Sequence, residues 1–310
     1  MRRQLCRQLS GVDVRVVIIL IIGVVVVAAG FIWANRPQLI PINAAVADDF
    51  PANSFSHSGF EQLLSSYVDA SGSVDYERWY GDAMSIAQLD SYLAAVSAFS
   101  PESSPERFRS RNDELAYWMY GYNAYVIKSV LSNWPLDSVT DVKAPIEIVK
   151  GMGFFYRLRY LFGGRAYSLL TVENDKIRKE YKDPRIHFVL NCGSESCPVI
   201  RPELPTGDAL ESLLAESARE FVNDTTNIQI DHDEQIVYLS AIFKWYEDDF
   251  LNWLRANGRP IDKGLLDYVT PIAEGVLAND LERASHYAIE FRDFDWTVNA
   301  TRDAASNTMH

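Results

Sequence analysis

From Val16 to Trp33 eighteen successive positions carry no charge and read VVIILIIGVVVVAAGFIW. At about 1.5 Å per residue, a helix of that length just reaches across a hydrocarbon layer of about 30 Å, so the run predicts one membrane-spanning helix. Beyond it Pro37, Pro41 and Pro51 stand among small and polar residues, which predicts a linker over 34–58. Helical spacing begins with Phe60, Leu63, Leu64, Tyr67 and Val68, and Ser71-Gly72 ends that helix. A second helix is expected over 85–99. The longest covers 111–133, with Leu115, Trp118, Met119, Tyr122, Val126 and Val130 as its apolar stripe and Trp134-Pro135 as its stop.

After Pro145 the pattern shifts. Residues 154–168, aromatic and β-branched around Gly163-Gly164, predict a β-hairpin. A helix capped by Thr171 is expected to run to Tyr181, and Asp183-Pro184 then turns the chain into a strand over 186–191. An amphipathic helix over 208–222, short strands over 228–230 and 236–239, helices over 243–255 and 265–268, and a late strand over 286–291 follow. No internal repeat or second linker interrupts them. The expectation is an α+β protein: a basic tail (1–15), one N-terminal transmembrane helix (16–33), the linker, a helix-rich single domain with a small, mainly antiparallel sheet (59–300), and a C-terminal tail (301–310).

Charge decides orientation and excludes one class of partner. Arg2, Arg3, Arg7 and Arg15 precede the apolar run against one acid, Asp13, which predicts a cytoplasmic N-terminus and a periplasmic or extracellular body. The rest of the chain carries the remaining 25 basic and 41 acidic residues, a net of −16, which argues against nucleic-acid binding. Ala45-Val46-Ala47 resembles a signal-peptide cleavage site. The apolar run is longer than such peptides use and ends well before it, so an uncleaved anchor is the expectation. With 12% aromatic residues, including seven Trp and sixteen Tyr, the exported part is expected to be a packed domain with an aromatic-lined cleft.

The chemistry concentrates in Asp183–Arg201, DPRIHFVLNCGSESCPVIR, which holds His187, Cys192 and Cys197. Together with ELAYWMYGYNAYVIKSVL, LSAIFKWYEDDF and FRDFDWTVN, in that order along the chain, it resembles the DUF547 domain family over roughly residues 60–300. That family has no established reaction. The resemblance implies a shared fold and points at His187, Asn191, Cys192, Ser194, Ser196 and Cys197 without assigning them roles.

A thiol paired with a histidine becomes a thiolate nucleophile, so Cys192 with His187 is one candidate pair. An extended strand would separate them by about 16 Å and send them to opposite faces. They meet only if the chain bends near Asn191–Gly193; otherwise His286, on the late strand, is the candidate partner. The cysteines have three readings: a Cys192–Cys197 disulfide, a reactive thiol, or a metal site, the last lacking a clear fourth ligand. Asn191 or Asn123 would orient a base or hold an oxyanion, Asn123 being otherwise a buried tie between its helix and a strand. Glu114 is a candidate acid or base or else a solvated helix-start carboxylate, and Ser194, Ser196, Cys197 and Arg201 are candidate binding residues. Nine residues of helix place Glu114 and Asn123 on opposite sides. The acids of Trp245–Asp249 read as ordinary helix-start carboxylates. No metal and no cofactor is expected. Two functions stay open: a thiol-dependent hydrolase or acyl transferase acting on a small-molecule, peptide or cell-wall substrate, and a non-catalytic envelope binding module braced by a disulfide.

Overall fold

The computed structural model describes residues 14–301; most of the basic tail, with Cys6, and nearly all of the C-terminal tail lie outside the described residues. Helix α1 (Val14–Ala34) is long and apolar enough to cross a membrane by length and composition, and none of its apolar window is buried. Only residues 35–37 separate it from strand β1 (Gln38–Leu39), which pairs in parallel with β2 (Leu158–Phe162). Strand β3 (Arg165–Tyr167) completes this sheet antiparallel to β2, as the hairpin pattern predicts. The segment expected to be a linker is therefore part of the body. Ile40 is buried, the Asn43 amide donates to Asp90 Oδ2 at 3.1 Å, and Phe50 and Phe55 stack on Phe99 and Phe108. Its prolines signalled a loop correctly, but the few apolar residues among them were enough to hold it down.

Helices α2 (Ser58–Tyr67), α3 (Tyr76–Tyr80), α4 (Ala83–Ala98) and α5 (Arg111–Ser132) pack with this sheet around the first hydrophobic core. Asp82 caps α4 by accepting from the amides of Met84 and Ser85, and Ser110 caps α5. From Leu115 to Leu131 every residue of α5 is buried, so this helix is the core's axis rather than an amphipathic surface helix. Its one buried cation, Lys128, is paired with Asp90 of α4 at 2.6 Å.

After β3 the chain is helical from Leu169 to Tyr181: α6 (Leu169–Thr171), a π-helical turn (Val172–Arg178) and α7 (Lys179–Tyr181). Its cap is Ser168, whose side chain accepts from the Thr171 amide, and not Thr171 itself. A second core gathers α8 (Ala209–Asn223), α9 (Ala241–Trp245), α10 (Glu247–Ala256), α11 (Leu266–Val269) and α12 (Gly275–Arg283). Strands β4 (Ile228–Asp231) and β5 (Ile236–Leu239) form an antiparallel hairpin, and β6 (Ala288–Phe291) joins β5 in parallel. The fold is thus α+β and helix-rich, but with two three-stranded mixed sheets in place of one mainly antiparallel sheet. The helices between β5 and β6 form a crossover that returns the chain to the starting edge, which is what a parallel neighbour requires.

The stretch expected to be a strand over 186–191 is a 3-10 turn, Pro184–Phe188, followed by irregular chain. Asp183 accepts from the Arg185 amide and Pro184 fixes the first φ, so a helical turn starts where the apolar run had suggested extension. The turn also explains the run. Ile186, Val189 and Leu190 enter the first core while Phe188 enters the second, so the segment is apolar because it lies between two cores.

Candidate active site

A cavity of about 460 Å³ opens beside this junction. Its apolar wall includes Phe155, Leu170, Leu190, Ile242, Trp245 and Trp296, and its polar groups are His187, Glu173, Tyr122 and Tyr246, with Lys150 also on the lining. Cys192 and Cys197 line it as well. All four sequence phrases that carried the family resemblance contribute to it: Tyr122 from the first, His187 and the cysteines from the second, Tyr246 from the third and Trp296 from the last.

His187 is buried, and its Nε2 lies 2.8 Å from Asp249 Oδ2. The ring stacks on Tyr246 at 3.8 Å between centroids, a contact made possible by the break between α9 and α10, which replaces the single helix expected over 243–255. Arg178 Nε donates to the same Asp249 oxygen at 2.7 Å. Burial pushes the His187 pKa down from its ordinary 6.5, opposed by the hydrogen bond to Asp249. Burial alone would raise Asp249, but the bonds from His187 and Arg178 outweigh it and hold the carboxyl at about 2. At neutral pH the arrangement is a neutral imidazole donating Nε2–H to a carboxylate that Arg178 keeps ionised. Nδ1 is then the nitrogen left to accept a proton.

Behind the ring, Tyr246 donates to Glu173 Oε1 at 2.6 Å and Tyr122 donates to Glu173 Oε2 at 3.5 Å. Burial raises the pKa of both phenols well above 10, so both stay protonated donors. Glu173 and Arg178 come from one π-helical turn, and Phe155 and Tyr156 from another (Met152–Arg157). Such turns are frequent at functional sites because they redirect side chains out of helical register.

The cysteine loop forms the cavity's floor. Chain reversal occurs at Gly193, whose φ of +83° is a left-handed conformation that glycine adopts without strain. Cys192 and Cys197 lie at disulfide distance with Cα atoms 6.2 Å apart, and the Cys192 amide points at Cys197 Sγ at 3.0 Å. The closing segment of the chain clasps this loop. Glu195 N donates to Thr297 O at 2.8 Å, Asn299 N to Gly193 O at 3.2 Å, and Asp295 N to Ser196 Oγ at 2.9 Å.

Several candidate residues have other tasks. Asn123 Nδ2 donates to Val189 O and its Oδ1 accepts from Asn191 N, each at 2.9 Å, so it ties α5 to the His187 segment. Asn191 braces the loop, donating to Pro198 O and accepting from Gly193 N, both at 2.7 Å. Ser194, Ser196 and Arg201 line a separate polar cavity of about 560 Å³ that shares only Cys197 and Pro198 with the first. Arg201 is committed to Glu216 and Glu220. Glu114 interacts with Tyr181 and is absent from the cavity's lining. His286 is exposed and precedes β6 instead of lying on it; its ring meets Tyr287, and it too is absent from the lining. The partner of His187 is instead Asp249, which sequence reasoning treated as a helix-start acid. Glu173, not singled out from the sequence, is likewise buried at the site. The available signal was the aromatic pair directly ahead of the acids, Trp245-Tyr246, which is excessive for a solvated helix start. Among the described residues no group of three or more His, Cys, Asp or Glu could hold a metal ion.

Fold and site together define a helix-rich α+β protein with a histidine–carboxylate pair at the wall of an aromatic cavity. Residues 106–222 match the family DUF547, described as a protein of unknown function. The match takes in α5, His187, both cysteines of the loop and α8, and it leaves out Tyr246, Asp249 and Trp296, which the resemblance over residues 60–300 had included. No curated protein and no solved structure matches the chain.

Proposed function

We propose that this chain is a membrane-anchored, exported hydrolase of acyl compounds in which His187, oriented by Asp249, is the general base. The observation that carries the reading is the 2.8 Å bond from His187 to Asp249 at the wall of a cavity large enough for a small-molecule acyl group. With Nε2 committed to Asp249, Nδ1 takes a proton from water, and the water oxygen bonds to the acyl carbon. The imidazolium then returns its proton to the departing alcohol, leaving a carboxylic acid. Cys192 is not assigned the attack, because its sulfur is engaged with Cys197 and a disulfide has no thiolate. Retention of α1 is supported by the segment behind it: cleavage after Ala47 would remove β1, buried Ile40 and the Asn43–Asp90 contact. The disulfide fits an oxidising compartment outside the cytoplasm.

The cysteine pair itself favours a second reading, an envelope binding module whose cavity only holds its ligand. p-Nitrophenyl esters of increasing chain length separate the possibilities. The wild-type chain should turn them over, and the double variant Cys192→Ser/Cys197→Ser should keep most of that turnover. Opening the six-residue loop should cost it about 2 kcal/mol in chemical denaturation. Turnover abolished in the folded double variant would return the nucleophile to Cys192. A folded wild-type chain inert to every ester would leave the binding module.

A further inference from the structure

We infer that the mouth of the His187 cavity faces the bilayer and that its ligand is an acyl-chain lipid with an anionic headgroup, taken from that bilayer. The inference rests on the proposed reading of α1 as a retained anchor and of this cavity as the site, and it adds the substrate class and its source.

Three observations place the mouth. The first is the tether: three residues between α1 and β1 span at most about 10 Å, so the first sheet is held close to the helix end. The second is a clamp. Asn35, directly after α1, donates from Nδ2 to Ile146 O at 3.0 Å and accepts at Oδ1 from Ile146 N at 3.2 Å. The loop that contains Ile146 is therefore fixed to the end of the anchor. The third is continuity, since Val149 and Lys150 of that loop, and Tyr156 two residues before β2, line the cavity.

The same loop has the surface of a lipid contact. Ile146, Ile148 and Val149 are 44%, 74% and 56% exposed, an apolar cluster that the described residues of the body leave uncovered. Trp33 at the end of α1, Tyr156 and Trp245 are also exposed, and such rings favour the membrane–water boundary. Charge agrees. Within residues 143–165 the cations Lys143, Lys150, Arg157, Arg159 and Arg165 outnumber the one acid of that stretch, Glu147, with Arg165 paired to Glu102 outside it, in an exported body of net charge −16. A basic, apolar-tipped patch on an acidic body complements anionic headgroups, because cations near the surface are drawn to the negative surface potential. An acyl chain leaving the bilayer past Ile148 and Val149 meets the wall of Phe155, Leu170 and Trp296. Its ester end would then stop at the polar side, where His187 lies.

Site-specific photocrosslinking on the full chain tests this, in vesicles of phosphatidylglycerol and phosphatidylcholine. Benzoylphenylalanine replaces Ile148, Tyr156 or, as control, Val276 of α12, which is equally apolar and 77% exposed. The expected result is at least about tenfold more lipid adduct at 148 and 156 than at 276, since seating one apolar side chain in lipid is worth that factor. Mass spectrometry of the adducts should show phosphatidylglycerol over phosphatidylcholine. Equal adducts at all three sites, or none at 148 and 156 in carbonate-resistant protein, would overturn the inference. Soluble-ester turnover in the same vesicles reads the hydrolase separately. Turnover without adducts overturns only the lipid source, and adducts without turnover uphold the lipid source while removing the catalytic reading.

Discussion

His187→Gln should lower ester turnover by about 10²- to 10⁴-fold, the usual contribution of a positioned general base. The substitution removes the proton acceptor while leaving an amide that can still donate to Asp249, and Arg178 holds that carboxylate at 2.7 Å in either case. The variant should therefore stay folded, with binding of a non-hydrolysable acyl analogue retained, so that kcat falls far more than KM rises. A His187→Gln protein with near wild-type kcat would remove this residue from the chemistry. Asp249→Asn should fall less, because Asp249 acts only through the ring: it fixes the tautomer and supports positive charge on His187.

Asn123→Ala should be the most damaging single change to the fold around the site, costing about 2 to 6 kcal/mol. It strips partners from two buried backbone groups, Val189 O and Asn191 N, and each unsatisfied group costs about 1 to 3 kcal/mol. Both bonds anchor the irregular chain between His187 and Cys192, which has no strand or helix ladder of its own. A shift in the urea midpoint at unchanged slope reads the loss, with reduced turnover accompanying it. A cost under about 1 kcal/mol would mean that the segment is held by packing instead.

These two residues show what the sequence makes legible and where it stops. The helical stripe ending at Trp134-Pro135 marks α5 to within one residue at its C-terminus, and the charge-free run marks α1, because both patterns are local. The cluster of His187, Cys192 and Cys197 is visible as composition, and Gly193 permits, without dictating, the bend found there. What is not local is misread. HFVLN reads as a short buried strand, but it is apolar because two cores meet there. Asp249 lies 62 residues from His187, and its helix-start position already supplied an electrostatic reason for an acid, so nothing in its neighbourhood demanded a partner. The proline-rich segment hid β1 for a related reason: two residues suffice for a strand when the sheet supplies the other edge.

Burial lowers the His187 pKa in the folded chain relative to its ordinary 6.5, and that fixes the sign of the pH effects. Stability contributed by keeping the ring neutral is present above 6.5 and falls as pH drops through the lowered value, since the unfolded chain takes the proton first. The active form is the neutral imidazole. The most direct test is therefore the pH dependence of kcat/KM for a soluble ester. A single acid limb with its midpoint below 6.5 is predicted, flat through neutral pH and moving further toward acid in Asp249→Asn, where the bond that raises the pKa is lost. An acid limb with its midpoint near 8.5, as a thiol would give, or a limb unmoved by Asp249→Asn, would contradict the account.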